Sequence, residues 1–92
     1  EIRFSAHAIR QMHEREIATN DALLVLDEGE VIEDYPNDNP FPSRLLLGYA
    51  EGRPLHVVVA KDAESGKCFV VTAYEPDPER WTADFRKRRT KL

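Results

Sequence analysis

Apolar positions recur first at helical and then at strand spacing along the chain, and the change falls at Gly29. Ser5 precedes a stretch from Ala6 to about Glu14 in which Ala8, Ile9 and Met12 share one stripe. A serine there accepts a hydrogen bond from a free N–H of the first turn, so the spacing predicts a helix. His7, Arg10, Gln11 and Glu14 fall on the opposite face, toward solvent or another surface. Thr19-Asn20-Asp21 opens a second helix, with the Thr19 hydroxyl as cap and Asp21 at the positive end of the helix dipole. Ala22, Leu23, Val25 and Leu26 are its buried side, and Gly29 ends it.

From Glu30 the period becomes two. Val31 to Tyr35 reads as a strand stopped by Pro36, and three prolines stiffen the loop 36–43. Arg44 to Tyr49 and Pro54 to Ala60 flank Glu51-Gly52, a tight hairpin turn in which glycine supplies the positive φ. A turn over 62–66 leads to Cys68 to Tyr74, apolar at nearly every position and therefore covered on both faces. Leu55, Val57, Phe69 and Val71 are the expected buried residues of this antiparallel meander. Asp77 followed by Pro78 predicts a C-terminal helix that lays Trp81 and Phe85 on the sheet and carries basic residues in its last turn. The predicted class is α+β: two N-terminal helices, a four-stranded mainly antiparallel sheet and a C-terminal helix.

With 92 residues the chain supports one domain, 1–92, around one core. No stretch approaches the roughly 20 apolar residues of a membrane span, so a membrane is not among the expected partners. The start at Glu1-Ile2-Arg3-Phe4, without methionine, predicts that a short N-terminal segment is missing. A lone cysteine, Cys68, fits a reducing compartment and a cytoplasmic location. Net charge is −4, but residues 80–92 set six basic groups against Asp84 while residues 1–79 carry −9. The molecule is bipolar, and composition alone argues neither for nor against nucleic acid.

Several segments carry a resemblance. Phe4-Ser5-Ala6-His7-Ala8, Arg10-Gln11-Met12, Glu14-Arg15 and Gly29-Glu30-Val31-Ile32-Glu33-Asp34-Tyr35-Pro36 are joined by Gly52-Arg53-Pro54-Leu55-His56-Val57-Val58 and Thr72-Ala73-Tyr74-Glu75-Pro76-Asp77. Together they resemble the domain-of-unknown-function family 4258, which is itself similar to RelE and BrnT toxins. The resemblance implies a RelE/BrnT-like fold and a metal-independent RNA endonuclease of a bacterial toxin-antitoxin pair. RNA or the ribosome would be its target, a cognate antitoxin of zinc-finger type its partner, and no cofactor would be needed. Glu16 stands where that family usually places glycine, and the acidic body contrasts with the basic surface of RelE toxins. The rival expectation is a non-catalytic protein-binding module that keeps the toxin fold.

Cleavage of RNA without a metal needs a base for the 2′-hydroxyl, an acid for the departing oxygen and cations around the phosphate. His56, inside an apolar strand, reads first as a histidine satisfied by structural hydrogen bonds and second as a candidate for proton transfer. Tyr74 ends the last strand before a proline, where a side chain projects into a site or packs under the C-terminal segment. His7 and Arg10, three apart on one helical face, would hold a phosphate, although Arg10 and Glu14 also form an ordinary helical pair. Arg15 and Arg44 are candidate RNA contacts or structural forks, and Arg86, Arg88 and Arg89 are candidate backbone contacts or a solvated end. No metal is expected, because His7 and His13 lie about 120° apart on a helix and His56 is distant in sequence.

Overall fold

The computed structural model describes residues 1–90. β1 (Ile2–Phe4) leads into α1 (Ala6–Glu14) and α2 (Thr19–Glu28), followed by β2 (Glu30–Tyr35), β3 (Ser43–Ala50), β4 (Arg53–Lys61) and β5 (Cys68–Tyr74). The five strands form one sheet in the order β1-β5-β4-β3-β2. β2, β3, β4 and β5 are antiparallel neighbours, and β1 runs parallel to β5 with Phe4 opposite Val70.

α1 begins where the sequence places it, and α2 begins one residue earlier than the expected Thr19 cap implies. The Ser5 hydroxyl accepts from the Ala8 N–H at 3.0 Å, and Asp21 lies in the first turn of α2. Thr19 is already helical and Ala18 occupies the cap position without a side-chain bond. Gly29 closes α2 because α2 packs directly on β3: a Cβ there would lie 2.8 Å from the Leu47 carbonyl oxygen and closer still to that of Val25. A Cβ on Gly48 would press on the Val25 side chain at 2.9 Å, so two glycines let helix and strand approach.

Ala8, Met12, Ile17, Ala22 and Val25 from the helical side meet Leu46, Ala50, Leu55, Val57, Val70 and Ala73 of the sheet to form the core. By strand alternation the other face carries Glu33, Leu45, Leu47, His56 and Tyr74, and Leu45 and Leu47 are buried there too. The segment after β5 packs on this face at His56. Trp81 is 3% exposed and sets its ring edge-on to His56 at 4.4 Å between centroids. The sheet is therefore enclosed between two helices and an irregular C-terminal strap.

Two parts of the expected architecture are corrected. The sheet has five strands and is mixed, because Ile2–Phe4 pairs in parallel along β5; three residues are too short to show alternation in sequence. Among the described residues no helix follows β5. Asp77, Thr82 and Asp84 side chains capture the N–H groups of Glu79, Lys87 and Arg86, which a helix would need for its own ladder. Trp81 pairs with Arg88 in an isolated antiparallel bridge, and Phe85 takes a left-handed φ of 60°. Trp81 reaches the sheet as expected, but by a turn.

The meander itself forms as expected, with Leu55 and Val57 fully buried. Val71 is exposed and Val70 is buried in its place, because the β4–β5 register shifts between Val58 and Val59. Ile9, expected in the buried stripe of α1, is exposed as well. Among the described residues no helix is long and apolar enough to cross a membrane.

Candidate functional site

The strap and β4–β5 meet around His56. Opposed in register on neighbouring strands, His56 and Tyr74 project from the face away from the helices. The His56 ring is fully buried, and burial pushes its pKa below the ordinary histidine value, so the neutral form prevails near neutrality. Its Nε2 lies 2.9 Å from the Phe85 carbonyl oxygen, which only accepts; Nε2 therefore carries the proton. Nδ1 is left as an acceptor, and the Tyr74 hydroxyl donates to it at 3.3 Å. Burial raises the pKa of Tyr74 above the usual phenol value and keeps its proton in place.

Tyr74 also lines an open cleft of about 300 Å³ with Glu75, Asp77, Arg80, Trp81 and Arg88. The Arg88 guanidinium sits 4.6 Å over the Trp81 ring and 3.5 Å from a Glu33 carboxylate oxygen. Glu33 in turn accepts a hydrogen bond from the Tyr35 hydroxyl. Arg80 projects into solvent with only a 3.8 Å approach to Asp77. A phenol backed by a neutral imidazole, itself oriented by a carbonyl, is a proton-transfer arrangement with two guanidiniums beside it.

The other candidate residues lie elsewhere. His7 and Arg10 are on the exposed face of α1, across the sheet from His56. Arg15 is structural in its contacts: it donates to the Thr72 hydroxyl at 3.2 Å and the Ala73 carbonyl at 3.0 Å, tying α1 to β5. Arg44 pairs with Asp34 across β2 and β3 at 3.5 Å. Arg86 is held by Glu30 at 2.8 Å, and Arg89 donates to the Pro78 carbonyl at 2.8 Å. Thus His56, Tyr74 and Arg88 come together, with Arg15 bonded to the neighbouring Ala73 carbonyl and near enough for its charge to act on Tyr74, while His7, Arg10, Arg44 and Arg86 do not join them. Among the described residues no three His, Cys, Asp or Glu side chains cluster closely enough to hold a metal ion.

Arg53 is a residue the sequence reading passed over. It donates to the Glu16 carbonyl at 2.7 Å and the Arg15 carbonyl at 2.9 Å, while its Nε pairs with Glu75. It thereby joins the α1–α2 turn to the start of the strap. The partners are far apart in sequence, and the only local signal was an arginine directly after a hairpin glycine.

A family model described as Domain of unknown function (DUF4258) matches residues 4–75. No curated protein and no solved structure matches the chain. The match ends where the strap begins, so Tyr74 and His56 lie within it and Arg80, Trp81 and Arg88 beyond it.

Proposed function

The chain belongs to the DUF4258 family, and from that premise we propose that it is a toxin-like, metal-independent RNA endonuclease whose reacting group is the Tyr74 hydroxyl, restrained by a cognate partner protein. The observation that carries the reading is the hydrogen-bonded series Tyr74 hydroxyl, His56 imidazole and Phe85 carbonyl, opening into a cleft beside Arg80 and Arg88. In this reading the Tyr74 oxygen takes the 2′-hydroxyl proton of a bound ribose while its own proton passes to His56 Nδ1. The 2′-oxygen attacks phosphorus, the bond to the 5′-oxygen breaks, and that oxygen takes a proton from water at the open side of the cleft, while the hydroxide so formed is neutralised by the proton that returns from His56 through the Tyr74 hydroxyl. Arg80 and Arg88 balance the charge that develops on the phosphate. The products are a 2′,3′-cyclic phosphate and a 5′-hydroxyl, and DNA, which lacks the nucleophile, is not cut. His56 never touches RNA; it is a positioning residue behind Tyr74 that carries the proton only during the transfer, since burial favours its neutral form.

A specific observation favours the second reading, a protein-binding module without chemistry: Arg86 and Arg88 already face Glu30 and Glu33, which lowers the positive potential available to a phosphate. The deciding experiment incubates the purified chain with end-labelled RNA, with and without EDTA and with and without ribosomes. Cleavage that survives EDTA and leaves cyclic phosphate ends is expected. Cleavage abolished by EDTA contradicts the mechanism, and no cleavage under any of these conditions favours the binding module.

A further inference from the structure

A second surface lies three strands from Tyr74, at the edge where Glu30 of β2 pairs with Leu47 of β3. We propose that the groove between the C-terminal end of α2 and the outer edge of β3 docks a basic, extended segment of another protein, with lysines or arginines flanking one apolar anchor. This inference does not depend on RNA cleavage at Tyr74.

The groove encloses about 270 Å³, with Leu24, Glu28, Glu30, Tyr49 and Arg86 among its walls. Its apolar part is open: Leu24 is 38% and Tyr49 53% exposed, and Val31 on β2 is exposed as well. Large apolar side chains gathered beside a polar rim mark contact surfaces more often than solvent-facing ones. The backbone is open too. β2 pairs with β3 only between Ser43 and Leu47, so Gly48, Tyr49 and Ala50 run past the end of their outer neighbour. An extended segment can lay its own N–H and C=O groups along such an edge.

Charge selects the occupant. Residues 16–43 contain eight acidic residues and no lysine or arginine. Asp27 and Glu28 end α2 beside Leu24, Glu30 begins β2, and among the described residues neither Asp27 nor Glu28 forms an ion pair. An acidic or nucleic-acid partner would meet repulsion from Asp27 and Glu28 here, whereas a basic segment finds counter-charges in them. The chain supplies its own instance of the chemistry, since Arg86 reaches this rim and holds Glu30 through both Nε at 3.0 Å and a terminal nitrogen at 2.8 Å. Exposed pairs add little affinity one by one. The leucine and tyrosine supply the anchor, and the carboxylates supply selection and speed of encounter.

The test is an NMR titration of the full chain with an eight-residue peptide carrying one leucine among lysines, alongside a counterpart with glutamates for the lysines. The lysine peptide is expected to move the amide signals of Leu24, Glu28, Glu30, Gly48 and Tyr49, more weakly at high salt, and the glutamate peptide to move none of them. Reversing charge with Asp27→Lys and Glu28→Lys together should weaken binding about tenfold or more. Leu24→Ser should weaken it about threefold or more while leaving the β4 and β5 signals in place, which shows that the fold is kept. Absence of binding, equal binding of both peptides, shifts confined to the Tyr74 cleft, or unchanged affinity in the charge-reversed variant would each overturn the proposal. So would single-stranded RNA moving the same groove signals.

Discussion

At the scale of single residues, His56 shows how a histidine in an apolar strand is accommodated: both ring nitrogens find partners, Tyr74 on one side and the Phe85 carbonyl on the other. A charged imidazole would have to be desolvated in place, so burial depresses its pKa below the ordinary histidine value of about 6.5. The sign follows from linkage. The unfolded chain binds this proton more tightly than the folded one, so stability is full above about pH 6.5 and is lost as pH falls through the depressed folded value. Denaturant unfolding followed from pH 7 to 5 should therefore show falling stability, and His56→Gln should be less stable at pH 7 with a flatter slope across that window. The carboxylates with lowered pKa values, Glu30, Asp62 and Asp84, act at lower pH and leave the window clear. A variant as steep as the parent would show that another group supplies the slope.

Single residues also mark what could be read in advance. Ser5, Gly29, Leu55 and Val57 hold the places their local pattern gives them. Val71 does not, since one bulge shifts the register of β5 against β4 and turns Val70 inward. Glu16 explains itself only in three dimensions: it has a φ of 56°, the left-handed conformation glycine adopts without strain, and the bond from Arg53 to its carbonyl helps hold it there.

At the scale of elements, the two helices and the β2–β5 meander were legible because each has a strong period and a local stop. β1 and the strap were not. β1 is three residues held by a partner more than sixty positions later in the chain. The strap has the helix-opening signal Asp77-Pro78, but Thr82 and Asp84 divert its backbone and Trp81 gains more by lying on the sheet. The strap is the element that completes the candidate site, since it brings Arg80, Trp81 and Arg88 to Tyr74. Trp81→Ala should cost about 3–5 kcal/mol of unfolding free energy, as expected for truncating a buried tryptophan. It should also expose the His56 ring, so that the pH 7 to 5 slope changes with it. A loss below about 1 kcal/mol would mean that the strap is not packed on the sheet as described.

At the scale of the whole molecule, the bipolar charge seen in the sequence turns back on itself. Arg86 and Arg88 from the basic end lie on Glu30 and Glu33 of the acidic strand β2, while α2 carries three acidic residues, Asp21, Asp27 and Glu28, and no basic one. The two sheet faces thus differ in use: one is closed by helices into the core, and the other holds the polar cluster under the strap. His7 and Arg10 matched the chemistry of a site by residue type, but the topology sends them to the far layer. Residue types suggested the chemistry, and only strand register could choose which of them meet.

The proposed function makes the Tyr74 hydroxyl the reacting group of an RNA-cleaving cleft. Single-turnover cleavage of RNA by Tyr74→Phe, compared with the parent chain in EDTA and with binding of the same RNA measured separately, addresses it directly. The variant keeps the ring and loses only the oxygen, so the fold and RNA affinity should be retained while cleavage falls by about 10²-fold or more. Cleavage by Tyr74→Phe at the parent rate would contradict the account.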